Sequence, residues 1–363
     1  MDSRNKRRMG IAGAVAGVGA AGVGAAVGLR RLAVGRVRLR PDPDADEPFG
    51  ALRGRESTVL ASDGLPLHVE VDGPDDAALT VVFSHGYCLN QDSWHYQRRD
   101  LQGRGAAGDR LRMVFWDQRS HGRSGRGEPE HATIDQTGED LYAVLRATTR
   151  PDDPVVLVGH SMGGMSVLAL ADRHPELFGA QVRAAALVNS SCGDLGEMTL
   201  GLPMALAKLV RPLASGTLRG LGRRADLVDR ARGLGADLAF IVTRKMAFAD
   251  KYVSPTVVDF LEQMIRATPI DVIAEFYPTL LGHDKLGALE SLGRVPVLVL
   301  AGGADRLTPA AHGRRIAAEL PDAELVEVAE AGHVLPLEYP GVVTGGVRRL
   351  IDRVRPELEE RTA

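Results

Sequence analysis

The apolar pattern predicts an α/β protein: a mostly parallel sheet of eight strands flanked by helices and interrupted by one long helical insertion. Three observations carry this. From about residue 55 to 190, short apolar runs alternate with longer amphipathic ones, as strands covered by helices do. Between Cys192 and Leu292 the alternation stops and apolar residues recur at helical spacing. From Val295 onward the first pattern resumes. A composition of 44% hydrophobic and 25% charged residues is that of a chain that folds around a core, which excludes disordered and collagen-like classes.

The elements follow in order. Thr58 to Val71 reads as an edge hairpin turned at Asp63-Gly64. Leu79 to Ser84 (LTVVFS) is a buried strand and Met113 to Trp116 another. A helix is expected from about Ile134 to Ala147, a strand over Val155 to Val158, a helix from Met162 to Arg173 and a strand over Ala184 to Val188. The stretch that follows, with Leu200, Met204, Leu206, Phe240, Met246, Phe248, Phe260, Met264, Phe276 and Leu280 as its apolar face, is about 100 residues long, too long for a loop. A strand at Val295 to Leu300, a helix near Ala311 to Leu320, a strand at Glu324 to Val328 and a helix from about Val342 to Val354 complete the chain. The expected division is an N-terminal segment (1–54), a sheet core (55–191 with 293–356) and the insertion (192–292).

The N-terminal segment is a separate object. Arg4, Lys6, Arg7 and Arg8 precede 21 uncharged residues, Met9 to Leu29, and Arg30 and Arg31 follow at once. Such a run is long enough to span a bilayer, and its small residues, with Gly13/Gly17 and Gly24/Gly28 at GxxxG spacing, suit helix packing in lipid. A membrane anchor, a cleaved signal peptide and a low-complexity tail all fit. The anchor is favoured over the signal peptide because arginines stand where a small-residue cleavage site belongs. Arg36, Arg38 and Arg40 make the second flank as basic as the first, so the run does not declare an orientation or a compartment. Pro41 to Pro48 (PDPDADEP) reads as an extended acidic spacer, which starts the folded body near Arg55.

Charge and cysteine content exclude other chemistries. With 44 Lys+Arg against 47 Asp+Glu the net charge is −3, which provides no field for nucleic acid. Cys88 and Cys192 lie in no metal-ligand spacing and are too few for a disulfide framework. No P-loop is present, and the N-terminal glycines follow no strand, so they form no dinucleotide fingerprint. No cofactor and no metal are expected.

The chemistry begins at Gly159-His160-Ser161-Met162-Gly163-Gly164, a G-x-S-x-G directly between an expected strand and an expected helix. A sharp turn there pushes Ser161 out of the sheet, and side chains at Gly159 or Gly163 would collide. Serine needs a base to take its proton. His333, after the last strand, is the candidate; His160 flanks the serine and reads as packing. The base needs a carboxylate to fix its tautomer. Asp305, on the loop after the strand ending at Leu300, is favoured over Asp194, whose simpler reading is a helix cap. The order Ser161, Asp305, His333 is that of a nucleophile-elbow hydrolase. Two oxyanion donors are then required: the N–H of Met162, after the nucleophile, and the N–H of Tyr87, on the loop after the first buried strand. Tyr87 could also line an acyl pocket. His283-Asp284 either reaches the site or caps a turn, and Cys88 reads as inert.

These residues resemble the α/β-hydrolase superfamily, in its cap-bearing branch of serine esterases, lipases, cofactor-free haloperoxidases and proline iminopeptidases. The resemblance covers about residues 56 to 355 and rests on HGY (85–87), DQRSHGRS (117–124), GHSMGG (159–164), GGADRLTP (302–309) and AGHVLPLE (331–338). It implies the α/β-hydrolase fold, a cap formed by residues 192–292, and a supporting role for Asp117, Arg119 and His121. Dehalogenases and epoxide hydrolases of this fold use an aspartate nucleophile, and position 161 is serine. The expected activity is hydrolysis of a small, hydrophobic ester or acyl substrate through an acyl-enzyme. Perhydrolysis, acyl transfer or aminopeptidase activity would use the same triad. An inactive binding protein is the reading from another class, and a broken triad would mark it.

Overall fold

In the computed structural model of the protein, residues 42–102, 111–195 and 243–362 are described. Eight strands form one sheet: β1 (Arg55–Leu60), β2 (Pro66–Asp72), β3 (Leu79–Ser84), β4 (Leu111–Trp116), β5 (Val155–His160), β6 (Val182–Val188), β7 (Val297–Gly302) and β8 (Glu324–Val328). Their spatial order is β1-β2-β4-β3-β5-β6-β7-β8. β2 runs antiparallel to both its neighbours and the remaining pairs are parallel. The fold therefore agrees with the sheet expected from the sequence, its hairpin at the edge.

Alternation along each strand divides the core in two. Leu157, Leu187 and Val299 face one cluster, under α2 (Ile134–Thr148), α3 (Met162–Arg173) and α7 (Ala310–Glu319). Val158, Val188 and Leu300 face the other, under α1 (His95–Leu101) and α9 (Pro340–Thr362). Apolar residues on both sides bury β5 and β7 along their whole length and β6 at every residue but Arg183, as a two-sided parallel sheet requires. Register brings the carboxyl ends together: Ser84 lies opposite Gly159, His160 opposite Val188, and Val188 opposite Leu300. The loops beyond these ends thus share one edge of the sheet, where ligands bind in open α/β folds.

Between β6 and β7 the described part of the insertion holds α4 (Pro255–Ala267), α5 (Ile270–Leu281) and the short α6 (Leu289–Leu292). α5 lies on the loops at that edge: Tyr87 Oη donates to Ile273 O, Thr279 Oγ1 accepts from Ile134 N at 3.1 Å, and Arg126 pairs with Glu275 at 2.6 Å. The insertion closes on itself at its base, where Lys285 N donates to Cys192 O at 2.7 Å and Gly193 bridges to Asp284. α8 (Leu335–Glu338) precedes α9. The apolar positions Leu200, Met204, Leu206 and Phe240 lie outside the described residues, as does the run 9–29. Among the described residues no helix is long and apolar enough to cross a membrane.

One expectation needs correction. Pro41 to Pro48 reads in the sequence as an extended spacer, yet its acids are structural. Asp42 accepts from Thr256 N at 3.1 Å and Thr256 Oγ1 at 2.7 Å, and from Ser254 Oγ, so it caps α4. Asp44 accepts from Tyr96 Oη at 2.8 Å, and Glu47 binds His95 Nε2 at 2.8 Å and Arg99 at 2.6 Å. Phe49 stacks on Phe260 at 4.6 Å between ring centroids and meets Tyr96 edge-on at 5.6 Å. The segment is a strap joining α1 to α4. Phe49→Ala is expected to cost about 2 kcal/mol, below the ~3–5 typical of a fully buried phenylalanine because this ring is only half-buried. The shift in urea midpoint at unchanged m-value measures it.

Candidate active site

Ser161 is the single residue between β5 and α3. Its φ of 51° and ψ of −116° place a non-glycine residue in a strained conformation costing on the order of 1–3 kcal/mol. The turn is held by Ser161 N donating to Val188 O at 2.9 Å and Ser190 Oγ donating to Ser161 O at 2.8 Å. It also packs backbone on backbone: a Cβ at Gly163 would lie 2.1 Å from Ser84 O, and one at Gly159 would lie 2.5 Å from Gly163 O. Only glycine fits either place.

Ser161 Oγ lies 3.0 Å from Nε2 of His333, and Nδ1 of the same ring lies 2.9 Å from Asp305 Oδ2. The carboxylate only accepts, so Nδ1 carries the proton and Nε2 is the free acceptor facing the serine hydroxyl. Burial pushes the Asp305 carboxyl up, but electrostatic attraction to the His333 ring and hydrogen bonds from His333 and Thr308 outweigh it and hold it below the usual range. Leu307 N at 2.7 Å and Thr308 N at 2.9 Å bind its Oδ1, and Thr308 Oγ1 its Oδ2 at 2.7 Å. Asp194, the rival acid, is an exposed residue paired with Arg315.

Two contacts were not anticipated from sequence. Thr308 Oγ1 is 3.1 Å from His333 Nδ1, a position that the Asp-x-x-Thr spacing signals in retrospect. Asn189 Nδ2 donates to Gly332 O at 2.7 Å and His333 O at 2.8 Å, while its Oδ1 accepts from Gly302 N at 2.8 Å. Nothing in the chain near Asn189 announces that job. His160 shares it: its Nε2 donates to His333 O at 2.9 Å, and burial pushes its pKa down to about 3, so it stays neutral.

The loop after β3 closes the other side. A Cβ at Gly86 would lie 3.3 Å from Ser161 Cβ, so Tyr87 follows directly on the elbow's neighbour. Met162 opens α3, where helix N–H groups lack intrahelical partners. Among the described residues neither the Met162 nor the Tyr87 N–H donates to a protein acceptor. The Tyr87 ring joins Met162, Met165, Val272 and Phe276 in one apolar cluster, and burial raises its phenol well above the ordinary value. Cys88 and Cys192 are buried and not joined in a disulfide.

The loop 117–124 is support. Asp117 accepts from Gln91 N and Arg123 N, both at 2.8 Å, and Arg119 forms a two-bonded pair with Asp140 at 2.6 and 2.7 Å. His121 Nδ1 donates to Arg119 O at 2.9 Å, and His85 Nδ1 to Gly86 O at 2.8 Å. His283 donates to Ser191 O at 2.9 Å, so with Asp284 it closes the base of the insertion.

An eight-stranded sheet of this order, with a serine raised on a strained strand-to-helix turn, is the architecture of an α/β hydrolase. Residues 81–344 match the model of the Alpha/beta hydrolase family, and the chain belongs to that family. It is 32% identical over 164 residues to a monoacylglycerol lipase of Mycolicibacterium smegmatis, a match spanning 44% of this chain and 55% of that one. It is 26% identical over 273 residues to 3-oxoadipate enol-lactonase 2 of Acinetobacter baylyi, spanning 75% of this chain and 88% of the relative. Its fold is similar to a thermophilic esterase from Thermogutta terrifontis, with TM-score 0.62, 22% identity and coverage of 83% and 99% of the two chains.

Burial pushes His85 and His160 down to about 3 and His121 and His283 to about 4. In the unfolded chain these imidazoles titrate near ~6.5, so below that pH unfolding takes up protons and stability falls with pH. Their contribution is complete above ~6.5 and is lost progressively as pH falls, down to about 4 for His121 and His283 and about 3 for His85 and His160, at up to about 1.4 kcal/mol per pH unit per histidine. Urea unfolding across this range checks the slope. A flat profile would mean the four rings are already accessible to protons in the fold.

Proposed function

We propose that the protein is a serine hydrolase that cleaves a carboxylic ester, with a hydrophobic acyl group, through an acyl-enzyme on Ser161. The observation that carries this reading is the line Ser161 Oγ, His333, Asp305, with successive separations of 3.0 and 2.9 Å through one buried ring. His333 takes the hydroxyl proton as Ser161 attacks the carbonyl carbon, and Asp305 stabilises the imidazolium that forms. The N–H groups of Met162 and Tyr87 receive the developing oxyanion. His333 returns the proton to the leaving alcohol, then activates the water that releases the acid. Every group in this sequence belongs to the chain itself.

The lipase, lactonase and esterase among the relatives carry names for ester cleavage, cyclic in the lactonase. In this reading residues 192–292 are the cap, and the Tyr87, Val272 and Phe276 cluster supplies apolar wall for the acyl chain. The 21-residue run from Met9 to Leu29, between basic flanks, tethers the enzyme to a membrane.

Hydrolysis of p-nitrophenyl esters from acetate to palmitate by the full chain tests the activity. Ser161→Ala is expected to abolish turnover and labelling by a fluorophosphonate, and Asp305→Asn to lower kcat by about 10⁴-fold. A folded wild-type protein that resists the label sinks the reading. For the tether, the full chain is expected to float with lipid vesicles and a chain lacking residues 1–41, which keeps the strap, is expected not to. Equal flotation of both would remove the tether.

A further inference from the structure

The loop that carries His333 leans on the insertion. His333 N and Val334 N both donate to Ala247 O, at 2.8 and 3.2 Å. A Cβ at Gly332 would lie 2.6 Å from Ala249 N and 2.7 Å from Ala247 O, so the two backbones are in direct contact. Glu338, the last residue of α8, holds both. One of its oxygens accepts from Gly332 N at 2.5 Å and the other from Ala249 N and Asp250 N at 2.8 and 2.6 Å. α8 is itself fixed, since Leu335 is buried in the core under the sheet and Leu337 packs with Ala247, Phe248 and Val334.

We propose that Glu338 is a positioning residue for His333, a single carboxylate that clamps the base-bearing loop to the 247–250 segment of the insertion. This rests on the serine-hydrolase reading above. Three N–H groups converge on one carboxyl group; burial pushes its pKa up and these bonds oppose the shift, and charge-assisted bonds of this kind are shorter and stronger than neutral ones. An amide in the same place offers one oxygen, and turns N–H groups toward N–H groups. The consequence is that the distance between Ser161 and His333 is set partly by the insertion. A shift in 247–250 moves the base.

The test uses the full chain, with a fluorophosphonate to count competent serines and a p-nitrophenyl ester to measure turnover per titrated site. Glu338→Gln is expected to lower kcat per site by about 10- to 100-fold with KM changed less than about threefold, the size of effect a misplaced base produces. The exposed Glu327→Gln is expected to leave both unchanged. A carboxylate that served only stability would instead reduce the number of titratable sites and leave kcat per site intact, which would overturn the proposal. Hydrogen exchange on the wild type decides the matter even where the variant fails to fold: the amides of Gly332, Ala249 and Asp250 are expected to open together, and independent opening overturns the clamp. Failure of wild-type Ser161 to label is a different result, and overturns the hydrolase reading with the clamp upon it.

Discussion

The site depends on one close approach of backbone to backbone, where the turn after β5 presses against the end of β3. Ser84 and Gly159 are paired neighbours in the sheet, so the two strands deliver their loops to the same point. Gly163 then sits where any side chain would strike Ser84 O. That contact forces Ser161 into its positive φ and lifts its hydroxyl off the sheet. It also lays the Gly86-Tyr87 loop beside the hydroxyl. The Ser161 hydroxyl and the Tyr87 N–H are therefore positioned by the same packing.

Around this point most polar groups find partners within the chain. The carbonyl of His333 receives two donors, one from Asn189 at the end of β6 and one from His160 at the end of β5. Asn189 reaches β7 as well, through Gly302 N. Three strands thus fix the backbone beneath one imidazole. In such a low-dielectric setting each satisfied bond is strong and each unsatisfied one costly, so the framework is rigid only because it is nearly complete. The neutral state of the buried histidines belongs to the same logic, since burial penalises a charged ring more than its neighbours stabilise it.

How far the sequence reveals this depends on how local each signal is. The helix from Met162 to Arg173 and the strand from Glu324 to Val328 are legible to the residue, because apolar spacing and turn residues are written in adjacent positions. Ser161, Asp305 and His333 stand out for the same reason: each lies in a short motif just past a strand. Strands β5 and β6 run two residues further than their apolar cores suggest, since glycine and polar residues also pair, and β7 lies two residues further along the chain than expected. The strap is illegible. PDPDADEP has no apolar pattern of its own, and its acids find their partners on α1 and at the start of α4, Thr256 lying 214 positions from Asp42. Asn189 and Glu338 are hidden likewise, for their bonds join segments that only the folded sheet makes neighbours.

The closed base of the insertion has a further meaning. Val188 and Leu300 pair in the sheet, and the chain leaves and re-enters through touching residues, Cys192 and Lys285. The pairing of β6 with β7 is therefore indifferent to the length of chain between them, and the entropy of closing a longer or shorter excursion changes only slowly with length, about 0.6 kcal/mol per doubling. Such an arrangement is modular. Selection can change the length of the excursion and still keep the two places where it meets the rest of the chain: its closed base, and the 247–250 segment against the His333 loop.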